Sequence, residues 1–483
     1  MAKRKNLLFI LSDQQRLDTV SAYDQNKICR TPNIDALAAN GMKFTHAFTP
    51  SPICAPARAS LMTGLFPHRH GVVDNYTDIR DGIPLLGNCM AQAGYYCGYA
   101  GKWHVSPNRK PTDCGFEDGK AFMGYGFPGS RVFPSLKFDA PPANQPNYYE
   151  EYLKDHGYWP VDISEGYMGN NPALQIQEMY ARHDGPVEST IEYFVAQETC
   201  RLLEKASKED RPFFLWSNFW GPHSPSIVPE PYYSMYNPSD IPEHPSYCET
   251  FEGKPYGHYL TEKMWGLGDA GWPGFAQIIA RYYGHCTMID DMVGMIVNKL
   301  KDLGMFVDTI IVYTADHGDC LGAHRLIEKG AFMYDEITRI PMVVSGAGHT
   351  DCDSMVYLHE LMPTALEIAG VKPPKPVDGE SLLPLMNGTQ SGNGRTHVFG
   401  EFHSHFYVCR QRYIRTPRYQ FTFNESERGE LYDLEEDPYQ LRNVCGDPQY
   451  ADIKRRLMDE MDADMHDLND PARIWFDRIR EFY

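Results

Sequence analysis

Positive charge is scarce in this 483-residue chain: 45 Lys and Arg face 64 Asp and Glu, a formal balance of −19. A surface field of that sign repels nucleic-acid backbones and anionic membranes and argues against either as the main partner. An anionic substrate then needs a local cationic cluster. No apolar run reaches the length of a membrane span. Lys3-Arg4-Lys5 followed by the apolar residues 7–11 opens like a secretion signal. The apolar stretch stops at Ser12-Asp13, however, and no small-residue cleavage site follows, so it reads as a buried first strand. None of the 12 cysteines stands in a Cys-x-x-Cys pair. Scattered through a long chain, they fit reduced thiols in a cytoplasmic enzyme better than a disulfide framework. Internal repeats and low-complexity tracts are absent as well.

Hydrophobic residues make up 42% of the chain and charged ones 23%, the proportions of a globular protein with room for a large core and a smaller second unit. Short apolar runs at 7–11, 95–100, 213–219, 309–314 and 341–344 predict strands buried on both faces. They alternate with helical patterns at 191–203 and 278–300. Such alternation predicts an α/β sandwich around a mostly parallel sheet, with chemistry gathered beyond the carboxyl ends of its strands. Residues 115–186 are rich in Gly, Pro, Asn and Tyr without a sustained period, which predicts a partly irregular insertion over one end of the sheet. Lys372-Pro-Pro-Lys-Pro376 predicts a division into residues 1–371 and a tail, 372–483. The tail reads as a small antiparallel sheet over 397–423 and an acidic amphipathic helix near 451–465.

The most informative stretch is Cys54-Ala-Pro-Ala-Arg58-Ala-Ser-Leu-Met-Thr-Gly64. Pro56 suits the first turn of a helix, Arg58 lies one turn beyond Cys54, and Gly64 can end the segment, so thiol and guanidinium share an anion-favouring helix start. A lone cysteine there reads as a buried core thiol; the whole pattern is far more specific. It resembles the signature of the type I sulfatases of the alkaline phosphatase superfamily, in which the cysteine is oxidised after synthesis to formylglycine. Other segments resemble the same family in the order it requires: Asn6 to Gln14 its first strand and metal loop, Thr31 to Leu37 its first helix, and Gly101-Lys-Trp-His104 a sulfate-contacting loop. Gly221-Pro-His223-Ser-Pro225, Thr314-Ala-Asp316-His317-Gly318, Glu328-Lys329-Gly330 and Glu430 to Pro438 follow. The resemblance spans nearly the whole chain apart from 115–186. It implies an alkaline-phosphatase-like α/β fold with a small C-terminal α+β subdomain, sulfuric ester hydrolysis, and a formylglycine-generating maturation enzyme as partner.

Asp13 and Asp316 each follow a strand-like run and can point at one site above the sheet. With Gln14 and His317 beside them they look like a divalent-metal site that also touches residue 54. Many sulfatases carry a second Asp at the position of Gln14 and an Asn at that of His317; a subset, including relatives that cleave phosphonate esters, carries His there. Oxygen donors suit Ca²⁺, the first choice, while the imidazole admits Mn²⁺; Mg²⁺ is a further alternative. The resemblance assigns the cationic cluster to Arg58, Lys102, His104, His223 and Lys329. It implies that a hydroxyl of the hydrated aldehyde attacks sulfur, that His223 helped by Lys329 protonates the departing alcohol, and that His104 then deprotonates the remaining hydroxyl so that sulfate leaves. His324, close behind the metal loop, is a candidate to line the substrate pocket. The pairs His68/His70 and His403/His405 have no carboxylate or cysteine at zinc-ligand spacing, so no separate metal site is expected from them. The expected substrate is a small sulfate ester, a sulfated mono- or disaccharide, with an aryl group equally able to stack on the aromatic insertion. The rival readings are a phosphonate monoester or phosphodiester hydrolase on the same scaffold, and a catalytically silent binding protein.

Overall fold

The computed structural model describes residues 4–24, 27–122, 147–168, 178–265, 270–348, 351–405 and 407–483. In chain order the strands are β1 (Asn6–Asp13), β2 (Gly41–Phe48), β3 (Tyr96–Lys102) and β4 (Asp118–Phe122), then β5 (Ile163–Met168), β6 (Glu178–His183), β7 (Phe213–Pro222) and β8 (Ser226–Val228). After them come β9 (Thr309–Ala315), β10 (Arg339–Ile340), β11 (Met342–Ser345), β12 (Asp351–Tyr357), β13 (Val398–Ser404), β14 (Val408–Arg415), β15 (Tyr419–Asn424) and β16 (Glu430–Asp433).

Nine of these form the central sheet in the order β10-β2-β11-β9-β1-β7-β3-β4, with β12 attached to β2. At its middle β1 runs parallel to both neighbours, Leu7 lying between Phe214 of β7 and Ile310 of β9. In β1, Leu7, Phe9 and Leu11 point into the core shared with the Cys54–Thr63 helix, and Leu8 and Ile10 into the core under the Ile191–Ala206 and Gly271–Asp302 helices. Two covered faces explain why the strand is apolar at every position from Leu7 to Leu11 rather than at every second one. Each fully buried Leu or Ile contributes about 2 kcal/mol relative to exposure. The architecture is the alkaline-phosphatase-like α/β sandwich with a C-terminal subdomain. β11, predicted only as a strand, is antiparallel to both β9 and β2.

Asp290 ties the long Gly271–Asp302 helix to the start of the Pro32–Ala39 helix. Its carboxylate accepts from the Asn33 and Ile34 amides at 3.0 and 2.8 Å, satisfying donors that a helix start leaves open. Burial pushes that carboxyl up to about 6.

The stretch from 115 onward begins differently from the expected insertion. Asp118–Phe122 is the edge strand β4, parallel to β3; small and polar residues suit an edge and hid it from a search for apolar runs. β5 and β6 form a small sheet with β8. Residues 123–146 and 169–177 of the expected insertion lie outside the described residues. In the tail, the antiparallel sheet β13–β16 continues to Asp433 and is covered by the Ala451–Asp467 helix. Among the described residues no helix is long and apolar enough to cross a membrane.

The topology sets the position of the site. β9, β1, β7 and β3 are neighbours running in one direction, so Asp316, Asp13, His223 and Lys102, at or just beyond their last residues, emerge along one edge.

Candidate active site

Cys54 opens the Cys54–Thr63 helix, every residue of which is buried, and Gly64 ends it with a φ of 69°. A side chain at Gly64 would be strained in that left-handed conformation and would meet Val377 at 2.7 Å. Asn75 Oδ1 accepts from the Ala55 amide at 3.1 Å, closing one open donor of the first turn. Cys54 Sγ lies 3.6 Å from Asp13 Oδ1 and 3.2 Å from His317 Nε2.

One turn along, Arg58 joins both carboxylates: Nη2 to Asp13 Oδ2 at 2.9 Å and Nε to Asp316 Oδ2 at 2.8 Å. Nη1 donates to the Lys102 carbonyl and to Asn218 Oδ1. Two buried carboxylates would be prohibitively costly alone. Here Lys102 Nζ also stands 2.7 Å from Asp13 Oδ2. Burial alone would raise Asp13, yet Lys102 and Arg58 hold it well below the usual carboxylate range.

His317 donates its Nδ1 hydrogen to the Gly318 carbonyl at 2.9 Å, which leaves Nε2 as the lone-pair nitrogen facing Cys54. Burial depresses its pKa and favours the neutral ring. Ligand atoms of Asp13, Cys54, Asp316 and His317 all lie within 4.8 Å of one another. Two carboxylates paired with Arg58 and an imidazole with its free nitrogen turned inward fit a divalent ion. Gln14, expected as a further ligand, stands beside this group. Its main-chain amide donates to Asp316 Oδ1 at 3.0 Å, but its side chain accepts from Lys329 at 2.6 Å and donates to Asp319 at 2.5 Å. Its φ of 61° is held by Tyr282, whose hydroxyl donates to the Gln14 carbonyl and accepts from the Arg16 amide.

Opposite stands the cationic wall. Lys102 Nζ sits 4.2 Å from the Trp220 ring centroid, and that ring lies 5.2 Å from His223. His104, at φ 39°, has its pKa lowered by burial and then by Lys102, so it is neutral and able to accept a proton. Its Nδ1 has no hydrogen-bond partner among the described residues. His223 Nδ1 donates to the Ser224 carbonyl at 2.7 Å, and Nε2 accepts from Lys329 Nζ at 2.8 Å. Lys329 spends its other two hydrogens on Gln14 Oε1 and, at 2.9 Å, Glu328 Oε2. Burial opposes its charge; Glu328 more than offsets that and keeps the ammonium above its ordinary pKa.

His324 is not brought into this cluster. It is fully buried, its Nδ1 is 3.0 Å from Glu249, and its ring stacks on Tyr334 with centroids 3.6 Å apart. The second histidine group does have a carboxylate, one that spacing could not reveal. Glu401 meets His68 at 3.0 Å and His403 at 2.8 Å, while Arg412 holds Asp470 and lies 3.5 Å from Glu401. Donor atoms of His68, Glu401 and Asp470 are mutually close; with Arg412 among them the group is a charge-balanced lock between the helical turn at Pro67–His70 and the C-terminal sheet. Asn218, Trp220, Asp319 and Tyr282 escaped sequence reasoning. Asn218 alone left a signal, a polar residue inside the apolar β7.

A parallel-stranded sandwich with a metal-competent cluster and a cationic wall along its carboxyl edge defines a hydrolase for esters of an anionic group. The chain belongs to the sulfatase family, whose profile matches residues 5–371, and it is a sulfuric ester hydrolase. A second profile, N-sulphoglucosamine sulphohydrolase, C-terminal, matches residues 322–467. The chain is 28% identical to the uncharacterized sulfatase YidJ of Escherichia coli K12, with 98% of this chain and 89% of that one covered. It is also 28% identical to an arylsulfatase of Clostridium perfringens, covering 95% of each. Among solved structures, a phosphonate monoester hydrolase of Agrobacterium radiobacter shares the fold with a TM-score of 0.78 at 24% identity, covering 96% of this chain and 95% of that one.

Proposed function

We propose that the protein is a formylglycine-dependent sulfatase acting on a sulfate monoester of a small carbohydrate. The observation that carries this reading is the placement of Cys54 Sγ beside Asp13 and His317, with Arg58 one turn behind it and Lys329 and His223 in hydrogen-bond contact nearby. Conversion of Cys54 to formylglycine by a maturation enzyme would supply a hydroxyl nucleophile where the thiol now stands. Asp13, Asp316, His317 and, as the resemblance implies, Gln14 would hold the divalent ion beside residue 54, Ca²⁺ before Mn²⁺ or Mg²⁺, and that ion would polarise sulfate oxygens. Lys102 and the nearby positive charge of Lys329 would stabilise charge as it grows on those oxygens in the transition state. His223 keeps its Nδ1 hydrogen on Ser224, which makes Nε2 the nitrogen that exchanges a proton with the departing oxygen. His104, neutral and partly unpartnered, is the base for the second half of the cycle.

The resemblance implies that relatives that cleave phosphonates generally carry neutral hydroxyl side chains in this loop, so the presence of both Lys102 and His104 supports sulfate over phosphonate esters. The C-terminal profile, named for a sulfated-sugar hydrolase, supports a carbohydrate. Residues 1–371 would form the catalytic unit and 372–483 the C-terminal subdomain. Twelve free cysteines support a cytoplasmic setting. The test is to assay the matured protein on sulfated sugars, aryl sulfates and phosphonate esters with the released anion measured directly, and to weigh the residue-54 peptide. Faster turnover of phosphonate esters than of every sulfate, or full activity with unmodified Cys54, would overturn the reading.

A further inference from the structure

Glu328 precedes Lys329 in the chain, is 2% exposed, and has a φ of 67°, in the left-handed region that residues other than glycine seldom occupy. The main chain is pinned there from both sides. Its amide donates to Asp319 Oδ1 at 2.9 Å, and its carbonyl accepts from the Cys320 amide at 3.1 Å. This conformation turns the carboxylate inward between two separate segments: Oε2 accepts from Lys329 Nζ at 2.9 Å, and Oε1 accepts from the hydroxyl of Ser224, the neighbour of His223. Burial would raise this carboxyl; Lys329 and His223 hold it far below the usual range, so an anion stands between the two.

An ammonium has three hydrogens. Those of Lys329 go to Gln14, Glu328 and His223, so the bond to Glu328 helps fix the direction of the one aimed at His223 Nε2. The bond to Ser224 fixes the turn that carries His223 itself. We propose that Glu328 is a positioning residue for leaving-group protonation, gripping Lys329 and the Ser224 turn together so that His223 Nε2 is held against the departing oxygen. The inference rests on the sulfatase reading of His223 and Lys329 given above. As the S–O bond breaks, its electron pair stays on the alcohol oxygen, which takes a proton through His223 Nε2 from the hydrogen-bonded Lys329–His223 pair, and water later returns that proton to the pair. A nitrophenolate leaves readily without that proton, whereas an alkoxide does not. Loss of Glu328 therefore discriminates among leaving groups.

The experiment measures kcat and KM of wild type, Glu328→Gln and Glu328→Asp with 4-nitrophenyl sulfate, phenyl sulfate and an alkyl sulfate. In Glu328→Gln, kcat on the alkyl ester should fall about 10²-fold, with a loss below about threefold on the nitrophenyl ester and little change in KM. Glu328→Asp should recover part of the alkyl rate. Every substrate is read on the same preparation, so a partly folded or partly matured fraction lowers all rates alike and cancels in their ratio. An equal loss on all three esters would overturn the proposal. Should Glu328→Gln not fold, Ser224→Ala removes the other anchor and is carried through the same series: selective loss supports the proposal, and equal loss overturns it. Failure of the sulfatase reading has a separate signature, a wild-type protein that releases no sulfate from any of these esters, and it removes this proposal too.

Discussion

Arg58 Nη2 meets Asp13 Oδ2 at 2.9 Å where neither side chain reaches solvent. The same guanidinium holds Asp316 through Nε, so one cation keeps two carboxylates from distant strands at the spacing a metal needs. Replacing Arg58 by Met should leave those carboxylates undercompensated and cost about 3–5 kcal/mol of stability. Denaturant unfolding with chelator present measures the loss. Excess Ca²⁺ should narrow the gap to wild type, since an ion bound only by the folded state adds to its stability.

Asp316→Ala should lose metal together with sulfatase activity. The carboxylate accepts from Arg58 Nε and from the Gln14 amide, and its removal takes a charged donor from the cluster. Metal analysis of the purified variant checks this; full occupancy would strike Asp316 from the ligands.

His104→Ala should slow turnover by about 10²-fold, the scale of a positioned general base, while the first equivalent of alcohol is still released quickly. Quenched-flow assay shows the burst, and mass spectrometry should find the residue-54 peptide heavier by a sulfate. Normal steady-state turnover would contradict the role given to His104.

His68 offers a pH test remote from the reacting atoms. Burial opposes its charge, but Glu401 raises its pKa above the ordinary 6.5. A group raised on folding stabilises fully below its unfolded pKa and loses that contribution as pH climbs through the folded value. The stability difference between wild type and His68→Gln should therefore be larger at pH 6 than at pH 9, as read by urea unfolding at both. A difference independent of pH would show the pair to be uncharged.

Legibility in the sequence followed burial and distance along the chain. β1, β7 and β9 were readable because both faces are covered and apolar residues run consecutively through them. β4 was not, since Asp118-Gly-Lys-Ala-Phe122 suits an edge and mimics a loop. The direction of β11 was invisible because antiparallel and parallel neighbours bury the same residues. Cys54, Asp13, Asp316 and His317 could be grouped through their motifs, and the structure brings them together. The bonds from Gln14 to Lys329 and Asp319 are decided by rotamers and strained turns that spacing does not encode. Likewise the contact of His68 with Glu401 joins positions that no local pattern links.

The parallel pairing of β1 with β9 has a consequence in time. Asp13 and Asp316 face each other only after the strand ending at Ala315 has docked, so the cluster has no local precursor and forms late on the folding route. A nascent chain that stops short of that strand carries Cys54 and Asp13 but neither Asp316 nor His317. The proposed maturation of Cys54 would therefore meet the least obstruction before β9 docks.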